Sequence, residues 1–447
     1  MTKPAGSAQN LTTTRASALY IGALLGPGLL LLPGLAAAQA GPASILAWLA
    51  LLALSGLFAV VFSALGRRFP SAGGVMGYVT AGLGTRAGLA VGWSFLAAVV
   101  GGAPLVCLIG ASYVTEFTGG GQLARAGAAA LLLVIVLTLA AGGLRASTSA
   151  QLVLVSLLIG VVTVAIAGSS ASARAANWTP FAPHGWMSIG HAAATLMLSF
   201  VGWEAVAPLT TRFANPSRQL PRVIAIALAA TTVLYLGLAI ATISVLGPRA
   251  ASAVPLADLL HRAIGPAGTA AAAAAAIILT LGAVNAYVTG AATMARQLTG
   301  TAHRGEGPAL RFLATIAAAG LLLITLYGLG LISTAALVAG PTALFLFVYL
   351  GCMTAAARVL RGPARAAAIP ATVAVTVMLA FCGWALAVPA VIALAVSIWR
   401  LAAGPSASTS GCSSPGPIGY AGNSAMWPRC TRVTASRGGD GGQYATS

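Results

Sequence analysis

Glu204 is the only acidic residue lying well inside an apolar run of this chain, and it follows Phe200-Val201-Gly202-Trp203 in a run from about residue 187 to 211. A carboxylate at mid-bilayer costs roughly 2.5–3.5 kcal/mol on insertion scales, so such a group faces a cavity, titrates, or bonds to freed backbone. Glu204 could carry a coupling proton, or it could be a structural hydrogen-bonding group. Phe200 and Trp203 could close over an apolar ligand, or they could be ordinary packing aromatics. The second chemically able stretch is Gly26-Pro27-Gly28, inside a run from about 16 to 40. Proline removes a backbone donor there, and glycine lets the chain leave helical geometry and lets a ligand approach it. The N–H groups freed near Gly28 and Leu29 open the next half-helix, whose dipole favours a carboxylate. The competing explanation is a proline kink that serves only close packing.

Other polar groups are sparse. His191 lies earlier in the run of Glu204, and a lone intramembrane histidine is more often a helix contact than a proton relay. Asn285 and Tyr287 are polar groups in a later run, as pocket or packing donors. Gly101-Gly102-Ala103-Pro104 would thin its helix beside a pocket, with Gly102 on the ligand side. Cys107, Cys352 and Cys382 fall in apolar runs, while Cys412 and Cys430 fall near the C-terminal end. No Cys or His spacing suits a metal or a disulfide framework, and no cofactor is expected.

These residues need an apolar scaffold. Of 447 residues, 59% are hydrophobic and 6% charged, against about 25% charged in a soluble domain. That composition describes an all-α integral membrane protein. Apolar runs fall at about 16–40, 43–66, 87–115, 126–142, 150–168, 187–211, 221–246, 266–298, 309–330, 332–357, 367–383 and 385–402. The expectation is twelve transmembrane helices, the first and sixth of them broken. A net charge of +18 does not imply nucleic acid, because the arginines sit in short clusters between runs. With the N-terminus inside, all Lys and Arg except Arg125, Arg174, Arg249 and Arg262 fall on the cytoplasmic side. The positive-inside rule then puts both termini in the cytoplasm, in a bacterial-type plasma (inner) membrane.

Helices 1–5 and 6–10 would therefore be inverted relative to each other, each half opening with a broken helix. That is the pattern of a secondary carrier with its site at the breaks. The expected organisation is a tail over 1–15, a transporter domain over 16–402 and a disordered cytoplasmic tail over 403–447. Within the domain, one repeat covers about 16–168, the second about 187–357, and two extra helices cover about 367–402. Residues 255–264, with Asp258, His261 and Arg262, read as a short amphipathic helix on the outer surface. Lys3, Arg15 and Ala38-Gln39-Ala40 resemble a cleavable signal, but the long polar start and broken run argue against cleavage.

Several motifs carry a family likeness. Arg67-Arg68-Phe69-Pro70-Ser71-Ala72-Gly73-Gly74 with Gly92-Trp93, then Phe200-Val201-Gly202-Trp203-Glu204-Ala205, and Asn215-Pro216-Ser217-Arg218-Gln219-Leu220-Pro221-Arg222 resemble the amino acid–polyamine–organocation superfamily. Leu25-Gly26-x-Gly28, Leu65-Gly66-Arg67, Gly102-x-Pro104 and Asn285-x-Tyr287 are most similar to its bacterial methionine and branched-chain amino-acid exporters. The resemblance implies the leucine-transporter-like fold. It also implies a ligand whose carboxylate meets the first break and whose amino group meets carbonyls of the sixth helix. Pro27 departs from a small hydroxyl residue common in relatives, and Arg212 from an acidic one. The function this implies is alternating-access transport of neutral apolar amino acids, with a coupling proton as partner and an outward direction by likeness to the exporters; the alternative within the superfamily is an importer or exchanger of other amino acids or polyamines. Basic amino acids or polyamines would call for more carboxylates, and an enzyme or sensor for a polar cluster or a soluble domain.

Overall fold

The computed structural model describes residues 12–26, 28–69, 74–142, 148–205, 213, 215–299 and 310–402. Pro27, Arg212 and the expected tail over 403–447 lie outside these residues. Thr12 caps the first helix, α1 (Thr13–Leu24), by accepting the Arg15 N–H at 3.4 Å. The chain leaves helical geometry at Leu25 and re-enters it as α2 (Gly28–Ala40). Then come α3 (Ser44–Arg68), the short α4 (Gly74–Leu83), the long α5 (Thr85–Thr118), α6 (Gln122–Ala141) and α7 (Thr148–Ser169).

The second interruption follows α8 (Ser188–Leu196), which tightens into a 3-10 turn over Met197–Phe200 and stops. Val201 is extended and Gly202 has φ +134°, a conformation that side-chain-bearing residues avoid. A 3-10 turn over Trp203–Ala205 comes next. Beyond it lie α9 (Pro216–Ala241), α10 (Pro255–Ile264), α11 (Pro266–Leu298), α12 (Leu310–Gly328), α13 (Thr334–Val359), α14 (Pro363–Ala380) and α15 (Ala387–Ala402). No strand occurs among the described residues.

Nine stretches among the described residues are long and apolar enough to cross a membrane, counting Gly28–Arg68 as one. The sequence led us to expect twelve. Part of the difference has a physical origin, because an interruption leaves pieces shorter than the ~20 residues a crossing needs. α1 and α2 have 12 and 13 residues, α8 has 9, and α15 has 16. The expected amphipathic helix is present as α10, with Asp258 in its first turn and His261 and Arg262 in its last, complementing its dipole. Burial holds the Asp258 carboxyl above the usual carboxylate range, against the opposing pull of Ser252 and Arg249.

α5 is the spine of the interior and packs most extensively on α11 and α13. Gly110 sets the α5–α11 approach, since a Cβ there would come to 2.5 Å from Thr280 Oγ1. Small residues at such crossings let dispersion contacts hold helices together where lipid gives no hydrophobic drive.

Candidate functional site

Each interruption strands backbone groups at a depth without water, and each such group costs several kcal/mol if left unpaired. Tyrosines supply the partners. The Tyr235 hydroxyl, on α9, sits 2.7 Å from both the Leu24 and the Ser199 carbonyl oxygens. With one proton it donates to one at a time, and so spans the two breaks. Tyr20 donates to the Trp203 carbonyl at 2.9 Å, and Tyr113 to the Leu30 carbonyl at 2.7 Å. Tyr349, on α13, accepts the N–H groups of Gly202 and Trp203, each at 3.2 Å. Its own proton points to Glu204 Oε2 at 2.6 Å, with the Phe200 carbonyl at 3.3 Å.

Glu204 is therefore tied to its own break. Its Oε2 also accepts the Gly202 N–H at 2.9 Å. The side chain works as a cap for the break between the Met197–Phe200 and Trp203–Ala205 turns. Phe200 and Trp203 face the core. Phe200 packs on Trp48 and Tyr235, and Trp203 lies edge-on to Tyr20 and donates its indole N–H to Ser55 Oγ at 3.3 Å.

Beside the breaks lies a recess holding about 580 Å³ of space free of protein atoms, the open solvent at its mouth included. Gly26, Gly28, Gly102, Val201 and Tyr287 line it, and these are five of the residues singled out from the sequence. The rest of the wall comes from α5, through Ala98, Val99, Ala103, Leu105, Val106 and Ile109, and from Leu198, Val284 and Phe345. The spacing along α5 places these residues along one side of that helix. No charged side chain lines the recess among the described residues.

The other candidates stand elsewhere. Leu29 is fully buried in the core, and Asn285 is nearly so, its carbonyl accepting the Thr289 hydroxyl at 2.8 Å. His191 is exposed on α8, with Nδ1 3.2 Å from the Met187 carbonyl oxygen and its ring edge-on to Phe381. Sequence reasoning missed the tyrosines at 20, 113, 235 and 349. Their signal was available, since a buried tyrosine hydroxyl usually finds a partner, but nothing along the chain says which carbonyl it serves. Among the described residues no cluster of three or more His, Cys, Asp or Glu could hold a metal.

A many-helix membrane protein with an apolar recess between two interrupted helices belongs to the class of multi-pass membrane carriers. The profile of the amino acid permease family matches residues 11–399, and the chain belongs to that family, within the amino acid–polyamine–organocation superfamily. It is an amino-acid transporter and not an enzyme. The chain is 31% identical over 400 residues to an uncharacterized amino acid permease, YecA, of Bacillus subtilis, covering 87% of this chain and 94% of that protein. It is 28% identical over 399 residues to the L-methionine/branched-chain amino acid exporter YjeH of Escherichia coli, covering 85% and 93%. The branched-chain amino acid permease BcaP of Bacillus subtilis is 27% identical over 236 residues, or 48% of this chain and 50% of BcaP.

Proposed function

We propose that the chain carries neutral, apolar amino acids of the methionine and branched-chain type by alternating access, and that it works as an exporter. The observation that carries the substrate class is the recess wall, which offers aliphatic and aromatic side chains, bare glycine backbone and one phenol, and no charge. A basic amino acid or polyamine would leave a second cation unpaired there, at a cost of several kcal/mol. The names of the relatives support the same class, and YjeH supports the outward direction.

In this reading the ligand carboxylate meets the start of α2 at Gly26, Pro27 and Gly28, and its amino group meets carbonyls of the break at Val201 and Gly202. Its side chain lies along α5 over Gly102, against Tyr287. The architecture is twelve spans with two inverted halves and two added helices. Support comes from a matched order: a broken span, a whole span, then a 10-residue helix running into one of more than 30 residues, α4–α5 in one half and α10–α11 in the other. Glu204 is the carboxylate available for a coupling proton, and His191, exposed on α8, is not among the residues that line the recess. Cells loaded with methionine or leucine dipeptides test the function. Those expressing the gene should release the free amino acid faster than cells lacking it, and efflux no faster than in cells lacking the gene, for either amino acid, rules the reading out.

A further inference from the structure

We propose that the Ser199 hydroxyl is a ligand for the substrate carboxylate, supplying from the second break a donor that Pro27 cannot supply from the first. This rests on the amino-acid reading above. The first turn of α2 has no preceding turn to accept its N–H groups, which leaves donors for an anion. That supply is short in this chain. Proline has no N–H, and the Leu29 N–H is already taken by the Gly26 carbonyl at 3.1 Å.

Ser199 stands against this point. Its side chain is 2% exposed, and its Oγ has no hydrogen-bond partner among the described residues. A methyl group placed on Gly28 would come within 3.1 Å of that oxygen. Many serines and threonines in these helices turn back onto their own preceding turn, as Ser112 does to Leu108 and Thr231 to Ala227. Ser199 makes no such bond, and its donor stays unspent. Its backbone is fixed at the same time, because the Tyr235 hydroxyl lies 2.7 Å from its carbonyl oxygen. Its neighbours Leu198 and Val201 both line the recess, as Gly28 does. Other unpartnered hydroxyls, such as Ser94 and Thr280, lack this flanking by the recess and the α2 start. A buried hydroxyl without a partner is costly, and a carboxylate arriving at Gly28 would pair it with a charge-assisted bond.

The test uses purified protein in proteoliposomes, with L-leucine as substrate and leucinamide, which lacks the carboxylate, as competitor. Ser199→Ala should raise the leucine KM about tenfold, the size of a lost hydrogen bond to a charged group. The inhibition constant of leucinamide should move less than about threefold, since a neutral carboxamide gains less from the hydroxyl. The melting temperature of the ligand-free variant should not fall, because alanine removes an unpaired group and adds no bulk. An unchanged leucine KM overturns the proposal. So does an equal loss for leucine and leucinamide, which would mark Ser199 as packing alone. Wild-type vesicles that move neither leucine nor methionine overturn the amino-acid reading itself.

Discussion

Among the described residues, a methyl group added to Gly26 would meet nothing closer than the Tyr287 hydroxyl, 3.9 Å away. The same group on Gly28 would press on Leu32 Cδ1 and Ser199 Oγ, each at 3.1 Å, with the Ser199 backbone at 3.5 Å behind. The two glycines therefore answer different needs: room for a ligand at the first, and at the second a stretch of recess wall where the two broken spans also cross closely. Gly26→Ala should leave the melting temperature near wild type and raise the substrate KM, because the methyl takes space from the recess. Gly28→Ala should cost about 1–3 kcal/mol as overpacking and lower the melting temperature in detergent. A Gly26→Ala variant with wild-type KM would remove that backbone from the site. Both glycines were visible in the sequence as a break, but their separate roles depend on Tyr287 and Ser199, which lie far along the chain.

The two interrupted elements were legible for a simple reason: Gly, Pro and Glu conflict with an apolar helix, so they show against it. The amphipathic α10 was legible from its alternation of charge and leucine. α4 was not, because residues 74–83 fell between the expected runs at 43–66 and 87–115 and carry no charge to mark an amphipathic face. Nor could the sequence choose between Glu204 as proton carrier and as structural acceptor. The geometry gives the second role a definite form, with Gly202 N–H and the Tyr349 hydroxyl both on Oε2. The amide oxygen of Glu204→Gln can accept the same two bonds, so this variant should fold and keep gradient-free exchange. Glu204→Leu leaves these donors only their longer contacts, Gly202 N–H to the Tyr349 hydroxyl at 3.2 Å and that hydroxyl to the Phe200 carbonyl at 3.3 Å, and should lower the yield of folded protein. If Glu204 also carries the coupling proton, the Gln variant loses its response to a pH gradient; a retained response assigns the proton elsewhere.

At the scale of the whole molecule the arrangement turns on one short element. α8 and its 3-10 continuation reach from Ser188 to Phe200, too short to cross a bilayer as one helix. An inverted second half requires that the interrupted stretch between Arg174 and Arg222 nevertheless cross. The arginines supply the argument that it does, since those around Arg212–Arg222 match the cytoplasmic clusters and Arg174 belongs to the sparse outer set. Reporter fusions after Arg145, Arg222 and Arg365 should read cytoplasmic, and fusions at Arg174 and Arg249 external. The informative pair is Arg174 and Arg222. Opposite readouts make the broken element a true crossing and turn α9 to α13 over relative to α3 to α7. The same readout at both would make it re-entrant, reverse every later helix and dissolve the inverted pairing of α4–α5 with α10–α11.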